Sequence, residues 1–335
     1  MLTEYTLLLE QLHHAGENSI WCADEQVQEL LGSHFAGWTL TNRFHQPLPA
    51  RTIFCDFDFS QLPCKQPQQV IFRIAKEKAI NLHIIEQALQ YLPAQGRLML
   101  IGYKNEGINS LKSQLEKEAD CQIAASKLGK QLQLLEITSN GPQQLQLSKE
   151  DYTQLQPLQQ GEFNFISKPG LFGWKKVDRG SEILIETLQQ QAEIQTFRHV
   201  LDLGCGYGYL SMQAWQLGFQ HIDATDNCAA ALIACRANFA ALGINGQVLA
   251  SDCAEQLQQN YDLILCNPPF HQGFDHRQGL TQRFVEQAAA HLRPGGEAYF
   301  VTNQFIGIEK LFIKHFTKQQ LLVKKEGFKV IHLRR

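Results

Sequence analysis

The sequence predicts an α/β chain of two tandem domains, the second built on a parallel, doubly wound sheet. Three observations predict it. From His199 onward, short apolar strands alternate with helix-forming segments. A glycine-rich turn, Gly204-Cys205-Gly206-Tyr207-Gly208, joins the first of these strands to the first helix. A helix–glycine–strand pattern also recurs without a gap at an offset of 200 positions. Ile85-Glu86-Gln87-Ala88, Leu92, Gly96 and Arg97 to Ile101 overlay Val285-Glu286-Gln287-Ala288, Leu292, Gly296 and Glu297 to Val301.

The elements follow in order. His199 to Leu203 is a strand, and Leu210 to Leu217 a helix. His221 to Thr225 is the second strand, ending at Asp226-Asn227. Ala229 to Leu242 is an alanine-rich helix stopped by Gly243. Gly246 to Ala250 is the third strand, leading to Ser251-Asp252, and Asp262 to Cys266 is the fourth. Thr281 to Leu292 is a helix ended by Pro294-Gly295-Gly296, and Glu297 to Thr302 is the fifth strand. In such a sheet, ligands sit at the carboxyl ends of the strands. In the first 150 residues, Ser19 to Asp24 reads as a first strand with no glycine loop after it. Val70 to Arg73 stands where the fourth strand would be. The chain therefore reads as a duplication: a degenerate copy over 1–150, a complete one over 163–335, and a Gln-rich linker from about Asn140 to Glu162.

Composition limits the function classes. A net charge of −3 and a pI near 6.5 argue against gripping nucleic acid through bulk charge. No apolar run approaches membrane-spanning length, and the N-terminus carries Glu4 and Glu10 with no basic leader, so a cytoplasmic location is expected. The nine cysteines include no CxxC pair, and Cys266, His271 and His276 match no zinc spacing, so no metal is expected.

The turn after the first strand carries chemistry of its own. Gly204, Gly206 and Gly208 let backbone approach a ligand closely, with Cys205 between them. The spacing GxGxG differs from the GxGxxG of dinucleotide sites. Asp202, two residues before the first glycine, would repel a pyrophosphate but can attract the ammonium of S-adenosylmethionine, directly or through water. Asp226, with Asn227 beside it, ends the second strand, where a carboxylate can accept both hydroxyls of a ribose or can cap the next helix. Asp252-Cys253 closes the third strand, where a polar group can meet an adenine amine or serve as a cap.

Asn267-Pro268-Pro269-Phe270 follows the fourth strand. Neither proline has an N–H and both have φ fixed, so the chain must leave the sheet abruptly. The Asn267 carboxamide oxygen and the Pro268 carbonyl can then take the two hydrogens of a planar exocyclic amine. Phe270 would stack on the base, which must be taken out of its helix, and His271 would line the pocket. Read alone, the motif is a proline-rich turn; beside the glycine loop it points to methyl transfer to nitrogen. Asp178-Arg179-Gly180-Ser181 precedes a helix from Glu182 to Gln191, either as a pocket floor or with Ser181 as N-cap. Lys175, Lys176 and Arg179 lie near Phe172 and Trp174, a mixture of charge and aromatic surface that can grip RNA or form a solvated loop.

These residues resemble the ribosomal RNA guanine-N2 methyltransferases. The likeness rests on Pro169-Gly170-Leu171-Phe172, Val177-Asp178-Arg179-Gly180-Ser181, the Asp202 to Gly208 loop, Asp226, and Asn267-Pro268-Pro269-Phe270-His271-Gln272-Gly273. It covers the chain from Lys168 onward and the N-terminal region more weakly; the charge at Lys175, Lys176 and Arg179 departs from the family pattern. The resemblance implies two Rossmann-like methyltransferase domains, the C-terminal one seven-stranded and catalytic, the N-terminal one without a cofactor site and serving RNA recognition or folding. It further implies S-adenosylmethionine as cofactor, 16S ribosomal RNA within the 30S subunit as partner, and a guanine N2 as acceptor. The motifs leave open 23S guanine-N2, adenine-N6 or protein-glutamine methylation, a non-catalytic ribosome-assembly factor, and a nicotinamide dehydrogenase.

Overall fold

The computed structural model describes residues 3–64, 66–160, 163–191, 197–269 and 274–335. Contacts divide the chain into two units, Met1–Gln154 and Leu155–Arg335.

The first unit runs α1 (Glu4–His14), β1 (Ser19–Ala23), β2 (Trp38–Thr41), β3 (Thr52–Phe54), β4 (Gln69–Arg73), α2 (Lys78–Tyr91), β5 (Arg97–Tyr103), α3 (Ile108–Glu118), β6 (Cys121–Leu128) and β7 (Leu132–Ser139). Its sheet has the order β3-β2-β1-β4-β5-β7-β6. The first five strands are parallel, and β7 inserts antiparallel between β5 and β6. The expected linker is largely built into the two units. Gln143 N–H donates to the Leu89 carbonyl (3.1 Å), Leu147 N–H to Glu86 Oε1 (2.5 Å), and the Tyr152 hydroxyl to Asp56 Oδ1 (2.7 Å). The division between the units falls after Gln154, within the expected linker.

The second unit begins with an antiparallel hairpin of β8 (Gln156–Gln160) and β9 (Phe163–Ser167). It continues with α4 (Arg179–Gln189), β10 (His199–Leu203), α5 (Tyr209–Gln216), β11 (His221–Asp226), α6 (Ala229–Leu242), β12 (Val248–Ala250), β13 (Tyr261–Cys266), α7 (Phe274–His291), β14 (Leu292–Asn303), α8 (Glu309–Phe312), β15 (Lys318–Lys325) and β16 (Phe328–Arg334). The order β12-β11-β10-β13-β14-β16-β15 repeats that of the first sheet strand for strand. Local chemistry explains the ends. α6 stops at Gly243, which sits left-handed at φ 63, and α4 starts at Arg179 because Asp178 caps it, not Ser181. The central strands are covered on both faces: Val200, Leu263 and Leu265 pack in one core, and Leu201, Leu203 and Ile264 in the other.

Ladder partners make the duplication concrete. Cys22 pairs with Leu40 and Phe72 in the first sheet as Leu203 pairs with Thr225 and Cys266 in the second. Carried along the strands, this match preserves the offset of 200 at β5 and β14. Backbone details recur at matched places: Phe57 and Cys253 have φ 54 and 50, and Gln95 and Gly295 have φ 66 and 78. The same match sets Trp21 against Asp202, Thr41 against Asp226, Asp56 against Asp252 and Arg73 against Asn267. Trp21 is buried among Leu7, Leu8 and Ile71. Arg73 is buried and ion-paired, at 2.6 Å from Glu106 and 4.0 Å from Glu4. At these places the first unit carries packing and ion-pairing side chains of its own.

Candidate active site

The strand order reverses between β10 and β13, which opens a crevice at their carboxyl ends. Leu203, the last residue of β10, is the ladder partner of Cys266, the last of β13. The glycine loop and Asn267 therefore leave the sheet side by side.

The glycine loop is tied to the neighbouring strand end. Gly204 and Cys205 both donate their N–H to the Thr225 carbonyl, each at 2.9 Å. Gly206 N–H donates to Asp226 Oδ2 (2.9 Å), while Asp226 Oδ1 accepts from Cys228 N–H (2.8 Å). One carboxylate thus ties the loop to the segment that enters α6, whose N-cap is Cys228. A side chain at Gly208 (φ +90) would meet Cys235 Sγ at 2.8 Å, so α6 lies close behind the loop. Gly206 (φ +55) faces open space, with nothing within 4 Å of where a Cβ would stand. Four loop amides, those of Gly204, Cys205, Gly206 and Gly208, already have protein partners, so the loop offers no nest of free donors for a pyrophosphate. Open space at Gly206 and the Asp226 and Asp252 carboxylates at two adjacent strand ends fit a cationic nucleoside cofactor better than a dinucleotide.

Asp202 does not face that space. It is fully buried, and its Oδ2 accepts from Ser211 N–H (2.9 Å) and the Ser211 hydroxyl (2.6 Å), anchoring α5. Its Oδ1 is buried without a hydrogen-bond partner. Asp202 therefore stands beneath the loop and holds α5 to it. Burial pushes its carboxyl up to about 7 from 3.8, against the opposing Ser211 bonds. A raised folded-state value means that stability from this group is full below pH 3.8 and is lost as pH rises through 7. Asp202→Asn should therefore gain on the wild type by roughly 4 kcal/mol between pH 4 and pH 8, read from urea unfolding at both pH values. Parallel stability curves for the two proteins would exclude this.

Asp252 is held by Arg283, whose Nη2 lies 2.7 Å from Oδ2, and by Asn227 Nδ2 at 3.4 Å from Oδ1. Arg283 also reaches Glu255 (2.6 Å). Cys253 and Ala254 follow in left-handed conformation at φ 50 and 64, a strained pair that turns the chain sharply after β12. The buried Cys205 and Cys253 thiols are both pushed up, Cys253 by desolvation and Cys205 by the neighbouring Cys235 thiol and by burial.

Asn267 donates from Nδ2 to Asp178 Oδ2 and to Ser181 Oγ, both at 2.8 Å. Pro268 is buried and Pro269 exposed. Phe270 and His271 lie outside the described residues. Among the described residues, no group of three or more His, Cys, Asp or Glu could hold a metal ion.

The basic trio separates. Lys175 and Lys176 are exposed, with Lys175 Nζ 4.4 Å from the centre of the Trp174 ring. Arg179 is ion-paired to three carboxylates, Glu326 at 2.7 Å, Glu186 at 2.7 Å and Glu182 at 3.1 Å. Carboxylates on its own helix and in the β15–β16 turn draw it inward. Glu326 is in turn held low, at about 2, chiefly by its hydrogen bonds to Arg179. Asn238 is a structural residue of the site that sequence reasoning does not single out. Its Nδ2 donates to the carbonyls of Ile166 (2.7 Å) and Tyr207 (2.8 Å), tying β9 to the glycine loop. Nothing local marks it, since it sits in an alanine-rich helix.

Comparison with known proteins decides the family. The model of the methyltransferase small domain family matches residues 162–332, about half of the chain. A "Ribosomal RNA small subunit methyltransferase C" of Pseudomonas aeruginosa is 30% identical over 317 residues, covering 93% of this chain and 92% of its own. The chain belongs to the ribosomal RNA small subunit methyltransferase C family. A relative of the same name from Shewanella pealeana is 29% identical, covering 92% of this chain and 91% of its own. A solved T. thermophilus 16S rRNA N2 G1207 methyltransferase, in complex with AdoMet and guanosine, superposes with a TM-score of 0.81. At 24% identity, with 98% of this chain and 91% of that one covered, it supports the fold across both units of this small subunit methyltransferase C family member. The matched methyltransferase span contains the glycine loop, the three strand-end carboxylates and Asn267. Among the described residues, no helix is long and apolar enough to cross a membrane.

Proposed function

We propose that this chain methylates the exocyclic N2 of a guanine in 16S ribosomal RNA, with S-adenosylmethionine as methyl donor and the 30S subunit as the form in which the RNA is met. The observation that carries the reading is the ladder between Leu203 and Cys266, which sets Asn267 beside the glycine loop. Relatives of matching length named for small-subunit ribosomal RNA methylation support it, as does a structural neighbour described with AdoMet and guanosine.

In this reading, Gly204 to Gly208, Asp226, Asn227, Asp252 and Cys253 form the cofactor pocket, and Asp202 holds α5 and the loop from below. What S-adenosylmethionine supplies when bound is a methyl group on a cationic sulfur. The chain's own part is alignment. A guanine amine is a weak nucleophile because its lone pair is delocalised into the ring. Asn267 Oδ1 and the Pro268 carbonyl take its two hydrogens, which lets the nitrogen rehybridise and directs its lone pair. The base must leave its helix to reach this pocket, with Phe270 and His271 as its stacking partners. Lys175 and Lys176 meet RNA phosphates, and the first unit contributes to RNA recognition.

The test is transfer of labelled methyl from S-adenosylmethionine to unmodified 30S and 50S subunits, followed by nucleoside analysis. Label in N2-methylguanosine from 30S is expected. Label from 50S would keep the chemistry and move the target, whereas label in another nucleoside would overturn the base assignment.

A further inference from the structure

The Asn267 carboxamide can lie in its site two ways round, and only one of them presents an oxygen to an incoming amine. Asp178 settles the choice. A carboxylate oxygen accepts only, so the group facing it at 2.8 Å must be the NH2. The Ser181 hydroxyl accepts the second Asn267 hydrogen at 2.8 Å and donates its own proton to Asp178 Oδ2 at 3.3 Å. Three of the four hydrogens in this ring of contacts run to one carboxylate oxygen, Asp178 Oδ2, the third being that of Ser181 N–H at 2.9 Å. A flipped Asn267 would set its carbonyl against an anion. With the NH2 committed to Asp178 and Ser181, Oδ1 is left to the substrate side.

We propose that Asp178, seconded by Ser181, is the positioning residue of the transfer reaction. It fixes the Asn267 amide with its oxygen outward and, by hydrogen-bonding the NH2 to an anion, raises the electron density on that oxygen. As the methyl leaves the sulfonium, which becomes a neutral thioether, the amine nitrogen gains positive charge until it sheds one proton to water, and the polarised oxygen stabilises that charge more than a neutral amide in water would.

The surroundings hold Asp178 still. The adjacent Arg179 is clamped to Glu326 through Nε and Nη2 at 2.7 and 2.9 Å. Gly180 lies so close to Phe328 that a Cβ there would come within 2.8 Å of the ring. The first turn of α4 is thereby pinned to the β15–β16 end of the sheet, and Asp178 with it. This explains why a strongly charged arginine sits next to the site with its charge turned to carboxylates.

The inference rests on the proposed amine transfer, so its test has one arm that needs no turnover. In Asp178→Ser the helix keeps a good N-cap, because Ser and Asp cap about equally well, but the short side chain cannot reach Asn267. Asp178→Asn restores an acceptor oxygen without the charge. Single-turnover methylation by Asp178→Ser should fall about 50-fold. Substrate KM and the affinity for S-adenosylhomocysteine should stay within about threefold, and Asp178→Asn should recover only part of the loss, because its neutral amide neither polarises Asn267 as an anion does nor forbids the flipped orientation. In protein labelled with 15N-asparagine, the Asn267 side-chain amide should be protected from solvent exchange in the wild type and exposed in Asp178→Ser. Unchanged exchange in Asp178→Ser, or a wild-type rate with the weaker cofactor binding of a pocket-floor role, overturns the inference. If the wild type labels a nucleoside other than guanosine, the substrate reading fails, while the ratio of variant to wild type on that nucleoside still tests Asp178.

Discussion

Asn267→Ala should lower single-turnover methyl transfer about a thousandfold while leaving S-adenosylhomocysteine affinity within about twofold. The magnitude is that of removing one preorganised hydrogen-bonding group from a transition state that develops charge. The two effects separate because Asn267 sits at the end of β13 with its NH2 turned to α4, whereas the glycine loop is held by Thr225 and Asp226. Asp178 keeps two protein donors in the variant, Ser181 N–H and Ser181 hydroxyl, so no buried charge is stranded and the fold should survive. Transfer at the wild-type rate would remove Asn267 from the mechanism. A parallel collapse of cofactor affinity would instead make it part of the cofactor pocket.

Gly246→Ala should destabilise the second unit by roughly 4 kcal/mol, seen as a thermal midpoint lower by about 10 °C. A Cβ at Gly246 would lie 1.7 Å from the Ile222 carbonyl oxygen, and its φ of +146 already excludes ordinary side chains. The backbone cannot retreat, because the carbonyls on either side of it are bonded to β11: Asn245 accepts from Ile222 N–H at 2.9 Å and Gln247 from Ala224 N–H at 2.8 Å. Gly218→Ala is the matched control. It also has positive φ, at +92, but a Cβ there would meet nothing within 4 Å, so backbone strain of about 1 kcal/mol is all that is expected. Equal midpoints for the two variants would show that the close approach to Ile222 relaxes freely. Because β12 leads directly to Asp252, the damaging variant should also weaken cofactor binding.

The parts of this protein legible in its sequence are those whose cause is local. β10 and α6 have the predicted ends, since an apolar run into glycines and an alanine run into Gly243 each carry their own stop. β15, Lys318–Lys325, is not legible: its composition is that of a solvated loop, and it is a strand only because β16 pairs with it. β2, β3 and β6 escape sequence reasoning for related reasons, as short or exposed strands defined by their neighbours. The site divides in the same way. The glycine loop, Asp226 and Asn267 stand out as motifs. The bond between Asn267 and Asp178 spans 89 positions and has no sequence signature. Asp202 is recognisable as special, but its direction is not, because its partner Ser211 lies nine positions on, inside α5. The partners of Arg179 are not legible for a simpler reason. Charge counted along the chain does not reveal which carboxylates fold back to meet it.

The matched positions of the two sheets also say something about reversibility. Trp21 and Arg73 do more than lack the chemistry of Asp202 and Asn267; each holds its own unit together. Restoring Asn at position 73 would first strand Glu106 and Glu4 without their cation. Restoring Asp at position 21 would first put a carboxylate among Leu7, Leu8 and Ile71. Each backward step passes through a less stable protein before any binding is regained, so the first copy is held on its present course by its own packing.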